Sequence, residues 1–141
     1  MEILLAKGLD NIRFGQTEDE ITSQLGEPDK VYLLDESKRL QFFELRVEFS
    51  FEFEQNNRLG WIEVHHPEAI LFGQKLIGEN REKVLSVIST QIPDQPEVDD
   101  YGSFECYLYE KYELELQFKF NSLYSINFGF LWLDNDTPDW P

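Results

Sequence analysis

The strongest signal along the chain is a strict alternation of apolar and polar residues. Over residues 47–54, Val47, Phe49, Phe51 and Phe53 fall on one side and Glu48, Ser50, Glu52 and Glu54 on the other. That is the period of a half-buried strand. Residues 112–120 repeat the pattern, with Leu114, Leu116, Phe118 and Phe120 opposite Glu113, Glu115, Gln117 and Lys119. Gln55-Asn56-Asn57 and Asn121-Ser122 are turn residues that lead into apolar stretches at 58–66 and 123–133. Both units therefore read as hairpins. In 58–66, Ile62 and Val64 suit a core, which places Trp61, Glu63 and His65 on the polar side. In 123–133, Tyr124, Ile126, Phe128 and Phe130 make the apolar row and leave Ser125 and Asn127 outward. Strands at 30–34, 40–45 and 103–109 complete two meanders. The stretch 91–102 and the tail 134–141 read as loops.

A short helix precedes each meander. Thr17 with Glu20 is a capping box, Ile21 and Leu25 follow at helical spacing, and Gly26 with Pro28 stops the helix. Asn80 caps a second helix that carries Val84, Leu85, Val87 and Ile88 and ends before Pro93. When Gly15 is laid on Gly78, Thr17 falls on Asn80, Ile21 on Val84 and Leu25 on Ile88. The expected fold is α+β, with two tandem repeats at 1–68 and 69–141. Each is a short helix plus an antiparallel meander, joined into one broad antiparallel sheet with helices on one face and the other face open.

Composition narrows the function. The chain has 141 residues, with 12 Lys+Arg against 28 Asp+Glu and a net charge of −16. Such a field repels phosphate backbones and anionic lipid, so direct nucleic-acid and membrane-surface binding are not expected. A basic protein is the partner it attracts. Hydrophobic residues at 41% and aromatics at 15% supply enough for a packed core. Cys106 is the one cysteine, which fits a reducing compartment. Residues 1–8 lack a basic n-region and a long apolar run, so no signal peptide is expected and a cytoplasmic location is.

The open face is the candidate binding surface. It would present Glu48, Glu52, Glu54, Glu113 and Glu115, with Trp61, Glu63 and His65, beside the loop residues Asp99, Asp100 and Tyr101. Aromatic anchors supply affinity while carboxylates steer a basic partner. The plainer alternative is that these glutamates keep an exposed sheet soluble and unpaired.

Enzyme chemistry finds little support. His65 and His66 point to opposite faces of a strand, so they cannot share a metal. Glu63 and His65 share a face, yet two ligands fall short of a catalytic metal site. Cys106 has no nearby base to activate it. Phosphate-binding and dinucleotide-binding glycine loops and the nucleophile elbow are absent. Asp99-Asp100 and Asp134-x-Asp136 lack calcium-loop spacing. No catalytic residue, metal or cofactor is expected. Trp140, among the acids of the tail, is either a docking arm or part of a frayed end.

The run Gly15-x-Thr17-x-x-Glu20-Ile21-x-x-x-Leu25-Gly26-x-Pro28-Asp29 resembles the opening of the SmpA/OmlA-type module. The tandem helix–sheet order is similar to the β-lactamase-inhibitor-protein-like fold, which implies a saddle-shaped binding face. As a small acidic chain built to bind, the protein also resembles bacterial immunity proteins in type. The leading expectation is a non-catalytic inhibitor that neutralises a basic toxin domain, such as a nuclease. The alternatives are an enzyme or ligand-binding protein using Glu63 and His65 in a pocket, and a scaffold that binds peptides by strand addition.

Overall fold

The structure is a computed structural model that describes residues 1–141. Helix α1 spans Glu18–Leu25 and begins at the expected capping box. The Thr17 hydroxyl accepts from the Glu20 amide at 3.3 Å, and the Glu20 carboxylate accepts from the Thr17 amide at 3.3 Å. Gly26, at φ 86°, ends it in a conformation that suits glycine. Helix α2 spans Arg81–Gln91, capped by Asn80, whose Oδ1 accepts from the Lys83 amide at 2.9 Å.

Eight strands build the main sheet: β1 (Lys30–Leu33), β2 (Ser37–Phe42), β3 (Val47–Glu52), β4 (Arg58–Val64), β5 (Glu97–Asp100), β6 (Glu105–Tyr109), β7 (Leu114–Lys119) and β8 (Ser122–Gly129). Their order across the sheet is β5-β6-β7-β8-β4-β3-β2-β1, and every pairing is antiparallel. The central pair, β8 against β4, sets Ile126 opposite Val64 and Phe128 opposite Ile62. One face carries the core residues Leu40, Phe49, Phe51, Leu59, Ile62, Leu116, Phe118, Leu123 and Phe128, all at most 1% exposed.

The expected α+β molecule of two helix-plus-meander repeats under a helical roof is corrected by this architecture, which is mainly antiparallel sheet. Only two helices are present, and they bury just Ile21 from α1 with Val84 and Ile88 from α2. Short β pieces supply much of the cover. A three-stranded sheet of Ile3–Leu4, Gly8–Leu9 and Ile12–Arg13, and the hairpin Ile70–Leu71 with Gln74–Lys75, bring Ile3, Leu9, Ile12, Phe14, Leu71 and Leu76 into the same core. Phe14 meets Phe128 edge-to-face at 5.5 Å. An eight-residue helix can lay down only about two turns of contact, so α1 alone could not cover a sheet this broad.

Several boundaries also differ. Alternation stops before residue 53, because Phe53–Gln55 forms a 3₁₀ turn that carries Glu54. Glu113 ends a second such turn, Glu110–Tyr112, at φ 48°. Phe120 leaves the apolar row and stands 98% exposed in the turn that joins β7 to β8. A bulge opposite Gln117 and Phe118 makes Leu123 the core residue and turns Tyr124 out to 44% exposure. The 91–102 stretch contains β5, and the tail is docked: Pro138–Asp139 pairs with Leu131–Trp132. Trp140 lies on Phe130 at 4.6 Å and against Gly15. No helix is long and apolar enough to cross a membrane.

Candidate functional site on the polar face of the sheet

The polar residues of the strands line up across the sheet. Register sets Gln41 opposite Glu48, Glu48 opposite Glu63, Glu63 opposite Asn127, and Asn127 opposite Glu115. The middle of this face is closed, contrary to the expected open array of carboxylates. Glu48 is 7% exposed, and Ser50, Ser125 and Asn127 are buried as well. Side chains that converge from β1 and β2 explain it. Tyr32 donates to Glu48 Oε1, Gln41 Nε2 donates to the same oxygen at 2.7 Å, and Arg39 donates to Oε2 at 2.8 Å. Glu48 is thus a braced interior carboxylate and is withdrawn from the surface set.

Glu63 lies 3.5 Å from the same Arg39 guanidinium. Burial pushes its carboxyl up to about 7, and sharing a proton with Glu48 and facing its charge push the same way. Burial also works to raise Glu48, but bonds from Glu63, Tyr32, Arg39 and Gln41 outweigh it and hold that carboxyl well below its usual range. The two adjacent carboxyls are thus driven apart, Glu63 toward its protonated form and Glu48 toward its ionised form. Asn127 donates to Glu115 Oε1 at 3.0 Å, while its Oδ1 has no partner.

At the end of the face formed by Glu52, Arg58 and Ser37, a hollow of about 400 Å³ opens. Glu36, Glu52, Glu54 and Glu113 line it around Trp61, Phe130 and Trp132, with Arg39 at its inner side. Burial, and then the nearby Glu110 charge, raise the Glu113 carboxyl. Trp61 is held by close packing, because Gly129 sits where a Cβ would lie 2.8 Å from the indole. At the opposite end a hollow of about 320 Å³ is lined by Phe43, Arg46, Glu48 and His65 among others. His65 meets Tyr124 edge-on at 5.0 Å, and burial holds its imidazole below the usual value. Lys119 lies over the other ring of that pair, 3.7 Å from the Tyr124 centroid.

The structure brings Glu52, Glu54, Trp61 and Glu113 together at one hollow. Glu63 and Glu115 lie in the interior row, and His65 serves the other end. Asp99, Asp100 and Tyr101 stand apart at the sheet edge, separated from Trp61 by β6, β7 and β8. There Tyr101 stacks on Phe104 at 4.8 Å. Sequence reasoning missed Tyr32, Arg39, Glu36 and Trp132. The phase of Ser37–Phe42 could have found Arg39, since Leu40 and Phe42 mark its apolar side. No group of three or more His, Cys, Asp or Glu side chains is arranged to hold a metal ion.

No protein-family model matches the chain, and no curated protein does. Two solved structures share its fold. One is an extracellular protein containing a SCP domain from Bacillus anthracis, at 13% identity and a TM-score of 0.52, covering 82% of this chain and 43% of that one. The chain thus spans less than half of that protein. The other is YjgB, a DUF4309 family protein from Bacillus subtilis, at 14% identity and a TM-score of 0.52, covering 88% of this chain and 82% of that one. At such identities the likeness is one of fold.

Proposed function

We propose that this protein is a non-catalytic binding module that takes a basic protein partner on the polar face of its sheet. The carrying observation is the Trp61 hollow. Four carboxylates surround a cluster of aromatic rings, the surroundings that suit a guanidinium or ammonium laid against an indole. The net charge of −16 would speed the encounter. Neutralisation of a basic toxin domain, such as a nuclease, in the cytoplasm is the form of binding this chemistry suits best. The unpaired Cys106 accords with that compartment.

A co-purification tests the proposal. The chain is co-expressed with the product of the neighbouring gene and recovered at low and at high salt. A basic partner held one-to-one, and lost from a Trp61→Ala variant that still folds, is the expected result. Recovery of the chain alone at both salts would defeat it.

An acid–base catalyst is the second reading, favoured by the divergent Glu48 and Glu63 carboxyls. Glu63 lines neither hollow, so no pocket holds a substrate against it. The binding reading uses the Trp61 hollow as it stands.

A further inference from the structure

The two free edges of the sheet are finished differently. At β5 the exposed residues are Glu97, Val98, Asp99 and Asp100, preceded by Pro96. A run of like charge beside a proline discourages strand pairing. At β1 the residues are Lys30, Val31, Tyr32 and Leu33. Val31 and Leu33 project on the apolar side of the sheet, beyond the cover of the helices, and are 48% and 69% exposed.

The hydrogen-bond phase sharpens the contrast. The Leu34 amide donates to the Ser37 carbonyl at 2.8 Å. Antiparallel pairs alternate between bonded and unbonded, so Tyr32 and Lys30 spend their backbone groups on β2. The N–H and C=O groups of Val31 and Leu33 face outward. The two residues with free backbone groups are thus the two with exposed apolar side chains. Beside them a hollow of about 590 Å³ is lined by Leu33, Leu34, Asp35, Glu36 and Glu52, among others.

We propose that β1 is a docking edge that takes an extended basic segment of a partner protein as a ninth strand. Main-chain bonds at Val31 and Leu33 would set its register, and alternate apolar side chains would cover those two residues. A basic residue past the apolar pair would enter the hollow at Asp35 and Glu36. Charge chooses this occupant over a second copy of the chain, which would bring −16 against −16. The hollow shares Glu36, Arg39 and Glu52 with the Trp61 hollow, but the main-chain edge at Val31 and Leu33 lies outside the latter, and the proposal stands without it.

The probe is a synthetic nine-residue peptide of alternating Val and Thr with an Arg at each end, added to the full chain. Amide hydrogen exchange is the readout. Saturating peptide is expected to slow exchange at Val31 and Leu33 by at least about tenfold and to leave Val98 and Asp100 unchanged. Val31→Pro removes the outward donor and should abolish the effect. Leu33→Lys keeps the backbone intact and should weaken binding by about tenfold through lost apolar contact and like charge. A peptide ending in Glu should bind several-fold more weakly. Unchanged exchange at Val31 and Leu33 with millimolar peptide would overturn the proposal. So would equal binding of the Glu-ended peptide, or equal protection at β5. Protection that grows with protein concentration in the absence of peptide would assign the edge to a second copy instead.

Discussion

Glu48 and Glu63 stand directly opposite each other on β3 and β4, with Arg39 within 2.8 Å of the first and 3.5 Å of the second. Two like charges in directly opposed positions destabilise a sheet. Here the shared guanidinium and a Glu63 carboxyl raised to about 7 ease the conflict, which makes the centre of the sheet sensitive to pH.

The sign of that sensitivity follows from the shifts. The Glu63 carboxyl rises from 4.5 to about 7, so the folded chain holds a proton that the unfolded chain has released across this window. Its stabilisation is present below pH 4.5 and is lost as pH rises through 7. Glu48 acts oppositely, contributing above pH 4.5 and losing its share as acid approaches pH 2. His65, held low by burial, adds some stability as pH rises through 6.5. The urea midpoint should therefore fall between pH 5 and pH 8 by more in the native chain than in Glu63→Gln, with the two alike at pH 5. An equal fall in both would show that Glu63 holds no extra proton.

Phe120 pays in backbone strain for its position. It is 98% exposed at φ 51°, where bulky residues are rarely found. The corresponding turn between β3 and β4 uses Asn56 and Asn57 at φ 57° and 58°, residues that tolerate this region. Phe120→Asn should stabilise the fold by about 1 kcal/mol, measured by urea unfolding. Loss of stability would reveal a packing role that the exposure denies.

Gly129 fixes the indole at the binding hollow. A Cβ there would lie 2.8 Å from Trp61 Cε3 and 3.0 Å from the Gly60 carbonyl oxygen. Gly129→Ala should cost about 1–3 kcal/mol through overpacking and should shift the Trp61 emission. An unchanged spectrum and unfolding midpoint would mean that the indole is free to move.

The capping box at α1 is a local feature with a local cost. Thr17→Ala removes the acceptor for the Glu20 amide and should destabilise the chain by about 1 kcal/mol. Circular dichroism melting is the check, and an effect near zero would show that packing at Ile21 alone holds α1.

Period and capping are local signals, and what depended on them was legible. The alternation in Val47–Glu52 and Leu114–Lys119 and the caps at Thr17 and Asn80 all hold. The roof was illegible for a physical reason: the pairs Ile3–Leu4, Gly8–Leu9 and Ile12–Arg13 are too short to carry a period. The bulge that ejects Tyr124 was equally hidden, because it depends on the partner strand. Glutamates in phase on a strand could not reveal their own burial either. Arg39 and Tyr32, which cover Glu48, come from other strands, neither of which carries a strict alternation of apolar and polar residues. The Trp61 hollow was half visible: Glu52 and Trp61 sit in strand phase, while Glu54, Glu113, Glu36 and Trp132 reach it from turns and short pieces around it.

The most direct test of binding through the acidic hollow is the association rate of a co-purified basic partner at low and high salt. It should be measured for the native chain and for the combined Glu52→Gln, Glu54→Gln, Glu113→Gln variant. Native association should slow as salt rises, and the variant should associate more slowly at low salt with a flatter salt dependence. Identical low-salt kinetics for the two chains would contradict the account.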